Sequence, residues 1–355
     1  MRNYFRSNLQ ELSAPAVNVP VKKYMMCLNE SWMDPYQEIR QTFLKKMETV
    51  HLNRYFSQIT PQLRTALAEY IGFGITEEQF VWGNGADDIL YHIFLAVREN
   101  AQSYAVSIAP SYFDYKTFCR AVDLNIRFLN LREDYSFDTE EYLQLAAHPD
   151  CRLAIVCNPN NPTGNLFPDE QILTILDEIR DKPVLIDETY FEFSGKTFLD
   201  KLADNPQLVI VRSFSKAFAG AGLRFGYAVS NTDNISQLKK VMTTFHSSIL
   251  IQTFALSILN NREAFCRVVS DTICRRNELY KGLSEIQGLT VVPTETNFLI
   301  LSMGERSGEL FEYLKDNEVA VRDIGAHPLL KNFLRATISN DEDNNLLYKL
   351  ISQFA

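Results

Sequence analysis

The sequence predicts an α/β protein: a large unit on a mostly parallel sheet, then a smaller α+β unit toward the C-terminal side. Three observations predict it. Short β-rich runs recur, each followed by a loop with Gly, Pro, Ser or Asn and then a helical pattern, and that alternation implies a parallel sheet covered on both faces. Runs such as LAIVC, ending at Cys157, and LVIVR, ending at Arg212, are apolar without alternation, as a strand buried on both faces reads. From Gln237 the pattern turns helical through Arg276, and only short strands follow.

In chain order, residues 1–35 show no strong periodicity and are expected to form an arm against the smaller unit or a partner subunit. Strands are predicted at Phe80–Gly83, Tyr104–Ile108, Arg152–Cys157, Pro183–Asp187 and Leu208–Arg212. Helices are predicted to begin near Asp87, Phe113, Pro168 and Ile235. Farther on, strands are expected at Leu289–Val292 and Phe298–Leu301, with a helix over Gly308–Asn317. The expected division is an arm at 1–35, a large domain at 36–245 and a small one at 246–355, the last joined by part of the arm.

At 355 residues the chain is long enough for a deep, dry site. A net charge of −9, with Lys and Arg scattered, argues against nucleic acid as a partner. No apolar stretch approaches the ~20 residues that span a bilayer, and MRNYFRSNLQELS lacks the apolar core of a signal peptide. The expectation is a soluble cytoplasmic protein with no membrane partner. The six cysteines (Cys27, Cys119, Cys151, Cys157, Cys266 and Cys274) form no C-x-x-C and no zinc-ligand spacing, so they read as small buried hydrophobes and no metal is expected.

Ligands of open parallel sheets sit beyond the carboxyl ends of the strands. Five polar clusters follow the predicted strands: Gly83-Asn84-Gly85-Ala86-Asp87-Asp88, Pro110-Ser111-Tyr112, Asn158-Pro159-Asn160-Asn161-Pro162-Thr163-Gly164, Asp187-Glu188-Thr189-Tyr190 and Arg212-Ser213-Phe214-Ser215-Lys216. Taken singly each has a plain structural reading: a turn, a proline-fixed loop, a cap, a core tyrosine or a solvated lysine. One ligand beyond one sheet edge accounts for all five.

These clusters, with Arg224 eight residues after Lys216 in SFSKAFAGAGLRFGY, resemble the fold-type-I pyridoxal-phosphate aminotransferases, most closely the histidinol-phosphate aminotransferase group, over nearly the whole chain. The resemblance implies pyridoxal 5′-phosphate as cofactor, held by Lys216 as a Schiff base, with the same lysine carrying the proton. It implies Asp187 against the pyridine nitrogen, Tyr190 and Asn161 at the phenolic oxygen, and Tyr112 stacked on the ring. The cofactor phosphate would meet the turn at Gly85, the amides of Ala86 and Asp87, Ser213, Ser215 and Arg224. Tyr55 would reach that phosphate from the partner in a homodimer with shared sites. Arg335 and Arg322 would bind the anionic group of an amino donor and of a 2-oxo acid acceptor.

The chain departs from the group at Leu28-Asn29-Glu30-Ser31-Trp32-Met33-Asp34-Pro35, at Pro15-Ala16, at Phe218-Ala219-Gly220-Ala221-Gly222 and at His246–Gln252. All four bear on the substrate side. Histidinol phosphate with 2-oxoglutarate is the first expectation, because Arg322 and Arg335 suit a phosphate and then a dicarboxylate in one pocket, and the departures weigh against it. An ordinary aromatic amino acid or aspartate, a threonine-phosphate-type decarboxylation on the same scaffold, and a non-catalytic relative remain open.

Overall fold

The computed structural model describes Tyr4, Arg6, Leu9 and residues 21–355. Pro15-Ala16, and with it much of the expected arm, lies outside the described residues. The first strand among the described residues is β1 (Tyr24–Met25).

The central sheet contains β2 (Phe80–Gly83), β3 (Tyr104–Ala109), β4 (Asn125–Asn130), β5 (Cys151–Cys157), β6 (Val184–Asp187), β7 (Leu208–Ser213) and β8 (Gly226–Val229). Their order is β2-β8-β7-β6-β5-β3-β4, with β8 antiparallel to both neighbours and every other pairing parallel. Every residue of β6 and β7 is buried, which is why neither strand alternates in sequence. Val184, Ile186, Leu208 and Ile210 face one core with Leu63, Leu67 and Leu256. Leu185, Val209 and Val211 face the other with Ile89, Phe94 and Ile235. Helices thus cover both faces, and the polar ends of β2, β3, β5, β6 and β7 share one edge.

Several elements were not expected from sequence. Strand β4 lies at the sheet edge and is largely exposed, so it carries no apolar run. The helix Pro35–Met47 fully buries only Ile39, with Phe43 packed against the same core, and its start is well determined: the Asp34 side chain accepts from the Tyr36 amide, and Pro35 occupies the first turn. Part of the departure at Asn29–Pro35 is therefore a helix start. A second helix, Ile59–Ile71, follows it. Cys266 and Cys274 are exposed, contrary to the expectation for all six cysteines, because they lie on the outer face of the long helix Arg262–Ser284.

The smaller unit holds β9 (Thr290–Val292), β10 (Phe298–Ser302), β11 (Val319–Ala320), β12 (Arg322–Asp323) and β13 (Leu334–Thr337). Four of these form an antiparallel sheet in the order β12-β13-β10-β9, while β11 pairs in parallel with β1. Met26 is buried in this unit's core with Leu299, Leu310 and Leu347, so residues 24–26 are built into it. The helix Ile249–Asn260 buries Ala255, Leu256, Ile258 and Leu259 in the large core. Within the helix Arg262–Ser284, Phe265 packs in the large core and Leu279 and Leu283 pack in the smaller unit's core. Between the two cores Tyr190, Phe193 and Ala217 pack on Phe298, Ile300 and Leu330, so the polar sheet edge sits where the units meet.

Gly226 in β8 passes directly under the turn into the helix Ala86–Val97, where an added Cβ would collide with the backbone of Gly85 and Ala86. Gly226→Ala is expected to cost ~1–3 kcal/mol through overpacking, read as a melting temperature several degrees lower. An unchanged melting curve would contradict this close approach.

Candidate active site

The polar strand ends, residues 28–30 and the smaller unit line a cleft of about 440 Å³. Lys216, Asp187, Tyr190, Asn161, Tyr112, Ala86, Asp87, Ser213, Ser215, Arg224 and Arg335 all line it. Tyr55, Arg322 and Gly85 do not line the cleft of their own chain. Gly85 nevertheless shapes it: its φ of +94° is the left-handed region, and a Cβ there would stand 2.5 Å from Nη2 of Arg224.

Lys216 follows the end of β7, and its Nζ donates to the Leu28 carbonyl at 2.9 Å. Burial, reinforced by the positive charge of Arg335, lowers its pKa to about 8. A lysine so placed spends far more time as a neutral, nucleophilic amine than one in water.

Asp187 ends β6 and is only 3% exposed. Its Oδ1 accepts from the Thr189 amide at 3.1 Å and the Thr189 hydroxyl at 2.7 Å, and its Oδ2 accepts from the Tyr115 hydroxyl at 2.6 Å. Burial pushes this carboxyl up, and the three donors pull it back toward the ionised form. Tyr190 is buried, and its hydroxyl accepts from Nδ2 of Asn29 at 2.8 Å. Burial pushes this phenol up, while Arg335 and Asn29 oppose the shift.

The helix Ala86–Val97 begins without a capping side chain, so the amides of its first turn remain available at the positive end of the helix dipole. Asp87 bridges the two groups beside it: Oδ1 accepts from the Tyr112 hydroxyl at 3.0 Å and Oδ2 from Arg224 Nη2 at 2.9 Å. Ser213 and Ser215 complete this corner, with Ser213 Oγ accepting from the Ser215 amide at 3.1 Å. A helix N-terminus, two hydroxyls and a guanidinium make a cup suited to a phosphate.

On the smaller unit, Arg335 in β13 donates through Nη1 to Asn161 Oδ1 at 2.7 Å and through Nη2 to the Cys27 carbonyl at 3.2 Å. Its buried Nε has no hydrogen-bond partner among the described residues. Arg322 is the cross-strand partner of Arg335 in the β12–β13 pair. From there its charge reaches Arg335, whose pKa burial already lowers, without Arg322 itself entering the cleft.

Sequence reasoning missed Asn29, Tyr115 and Thr189. Thr189 was visible in principle, as Asp-x-Thr closes a local side-chain turn. Asn29 and Tyr115 carry no local signal, since their partners lie 161 and 72 residues away.

The residues fit a phosphorylated, flat aldehyde cofactor: a free amine, a buried carboxylate and a phosphate cup face one cleft. The family model for aminotransferase class I and II matches residues 21–351. The chain is 31% identical over 336 residues to the histidinol-phosphate aminotransferase of Caldanaerobacter subterraneus subsp. tengcongensis, covering 95% of this chain and 94% of that one. The solved histidinol-phosphate aminotransferase of Sinorhizobium meliloti, in complex with pyridoxal-5′-phosphate, matches with a TM-score of 0.87 at 21% identity, over 100% of this chain and 99% of that one. The L-threonine-O-3-phosphate decarboxylase of Porphyromonas gingivalis matches with a TM-score of 0.78 at 22% identity, over 93% and 99%. The two structural likenesses show the fold.

The lowered pKa of Lys216 sets a pH dependence. Its neutral amine predominates above pH 8, whereas an ordinary lysine is protonated up to about pH 10.4. The rate of Lys216 acylation by a small amine-directed reagent, followed by peptide mass, should rise with pH and level off above an inflection near 8. An inflection at the ordinary value would contradict the desolvated setting.

Proposed function

Because the chain belongs to the aminotransferase class I and II family, we propose that it exchanges an amino group between histidinol phosphate and a 2-oxo acid such as 2-oxoglutarate. The enzyme class and its pyridoxal 5′-phosphate cofactor follow from the family. The observation that carries the site reading is the pairing of Lys216, an amine of lowered pKa, with the buried carboxylate Asp187 in one cleft. Bound there, the cofactor supplies an aldehyde that takes up amino groups and a protonated ring that draws electrons from the substrate carbon.

The chain's own groups do the rest. Lys216 attacks as the neutral amine, anchors the cofactor, and afterwards carries a proton to and from the reacting carbon. Asp187, ionised, keeps the ring nitrogen protonated. Tyr190, steadied by Asn29, and Asn161, steadied by Arg335, offer polar groups to the ring's phenolic oxygen. The first-turn amides of Ala86 and Asp87, the hydroxyls of Ser213 and Ser215, and Arg224 hold the phosphate. Tyr112, tied to Asp87, closes one side of the ring pocket. Arg335, with one donor unsatisfied, receives the anionic group of each substrate in turn, and Arg322 adds positive charge from the adjacent strand.

Similarity over nearly the whole chain to enzymes of that name supports histidinol phosphate. The aromatic surface supports a homodimer with shared sites: Tyr55 is 76% exposed, stacks on exposed Phe245 at 4.3 Å, and stands next to exposed Phe56. In the dimer Tyr55 reaches the partner's cofactor phosphate. No helix among the described residues is long and apolar enough to cross a membrane. We place the enzyme in the cytoplasm, with small-molecule substrates.

Two measurements test this reading. A phosphate held by a charged arginine contributes about 1.5–3 kcal/mol, so kcat/KM should be at least about tenfold higher for histidinol phosphate than for histidinol. No advantage, or a preference for aspartate or phenylalanine, would overturn the substrate, and release of carbon dioxide would replace amino transfer by decarboxylation. For the dimer, Tyr55→Phe chains are mixed with Lys216→Ala chains. Shared sites put both defects in one site and neither in the other, so mixed dimers verified by mass should exceed either parent in activity. Activity no higher than the parents' would count against sharing.

A further inference from the structure

We propose that Tyr115 is a positioning residue that holds Asp187 ionised and leaves one lone pair of its Oδ2 directed to the cofactor ring nitrogen. The inference rests on the cofactor reading above and goes beyond the residues assigned there.

A carboxylate has about four acceptor positions, two on each oxygen. Thr189 fills both on Oδ1, through its amide and its hydroxyl, and Tyr115 fills one on Oδ2 at 2.6 Å. One position on Oδ2 remains, on a side chain that lines the cleft. The protein thus leaves a single place where a ring N–H can bind.

The charge of Asp187 needs this help. The carboxylate is 3% exposed, and Asp87 on the helix Ala86–Val97 bears on it with like charge. The register partner Cys157 at the end of β5 is a buried thiol kept neutral, and Tyr190 is kept neutral as well. Hydrogen bonds therefore carry the ionised form until the ring cation arrives. Tyr115 is fully buried, with its ring set edge-on between Tyr112 (5.4 Å) and Phe94 (6.3 Å). Packing on both sides thus holds the ring, and with it the hydroxyl, against Asp187.

The test compares cofactor affinity in protein stripped of cofactor, by fluorescence titration. Two ligands are used: pyridoxal 5′-phosphate and its carbocyclic analogue, in which a C–H replaces the ring nitrogen. Loss of one donor to a buried charge should make Tyr115→Phe bind pyridoxal 5′-phosphate about tenfold more weakly. The analogue has no ring nitrogen for Asp187 to meet, so its affinity should be unchanged by the substitution. Equal losses for both ligands would mean that Tyr115 only packs, and no loss for either would mean that it does nothing for Asp187; both overturn the proposal. If Tyr115→Phe does not fold, the double variant Tyr115→Phe/Asp187→Asn should, because the defect is a carboxylate short of a donor. A double variant that also fails to fold overturns it. An unsubstituted chain that binds neither ligand fails the cofactor reading itself, whereas a chain that binds both equally tightly fails only the role of Asp187 and Tyr115.

Discussion

An amine must be kept away from bulk water to act near neutral pH, and the surroundings that achieve this for Lys216 draw the whole molecule together. Its Nζ donates to the Leu28 carbonyl, so the chain just after β1 forms one wall of the site. That wall is tied to the smaller unit by the β1–β11 pairing, by the Thr337 amide donating to the Met26 carbonyl, and by the Asn29 amide donating to Thr337 Oγ1. Asn29 then reaches across to Tyr190 in the large unit. The lysine, residues 24–29 and both units are in this way held together, and loosening any part of this arrangement admits water to the amine.

Beneath the cleft, the strand ends are held by a buried ion pair. Glu188 directly follows Asp187, and Arg212 directly precedes Ser213. Arg212 donates through Nε and Nη2 to Glu188 Oε2 at 3.0 and 2.8 Å, with its guanidinium 3.6 Å from the Phe191 ring centre. Thr197 and the Phe198 amide also donate to Glu188. A buried pair adds little net stability against an apolar replacement, but breaking one partner is costly. Its value here is geometric, because it fixes the ends of β6 and β7 that carry Asp187 and Ser213.

Much of this was legible in the sequence. The non-alternating runs in β5, β6 and β7 marked a doubly covered sheet, and the polar residues after each run marked its edge. What stayed hidden has common physical causes. Strand β4 is exposed and polar, and β8 is four residues behind a long loop, so neither has a periodic signal. The helix Ile249–Asn260 is apolar on most sides, which gave no hint that it belongs to the large core. Arg335 was the firmer expectation from sequence and Arg322 the weaker, and of the two Arg335 lines the cleft. Asn29 and Tyr115 act through contacts that only the folded chain creates.

The most direct measurement concerns Lys216. Protein loaded with pyridoxal 5′-phosphate is reduced with borohydride, digested and mapped by mass. The adduct should fall on the peptide containing Ser213-Phe214-Ser215-Lys216, at Lys216, and should disappear in Lys216→Ala. An adduct on any other lysine, or none in protein shown to be folded, would contradict the account at its centre.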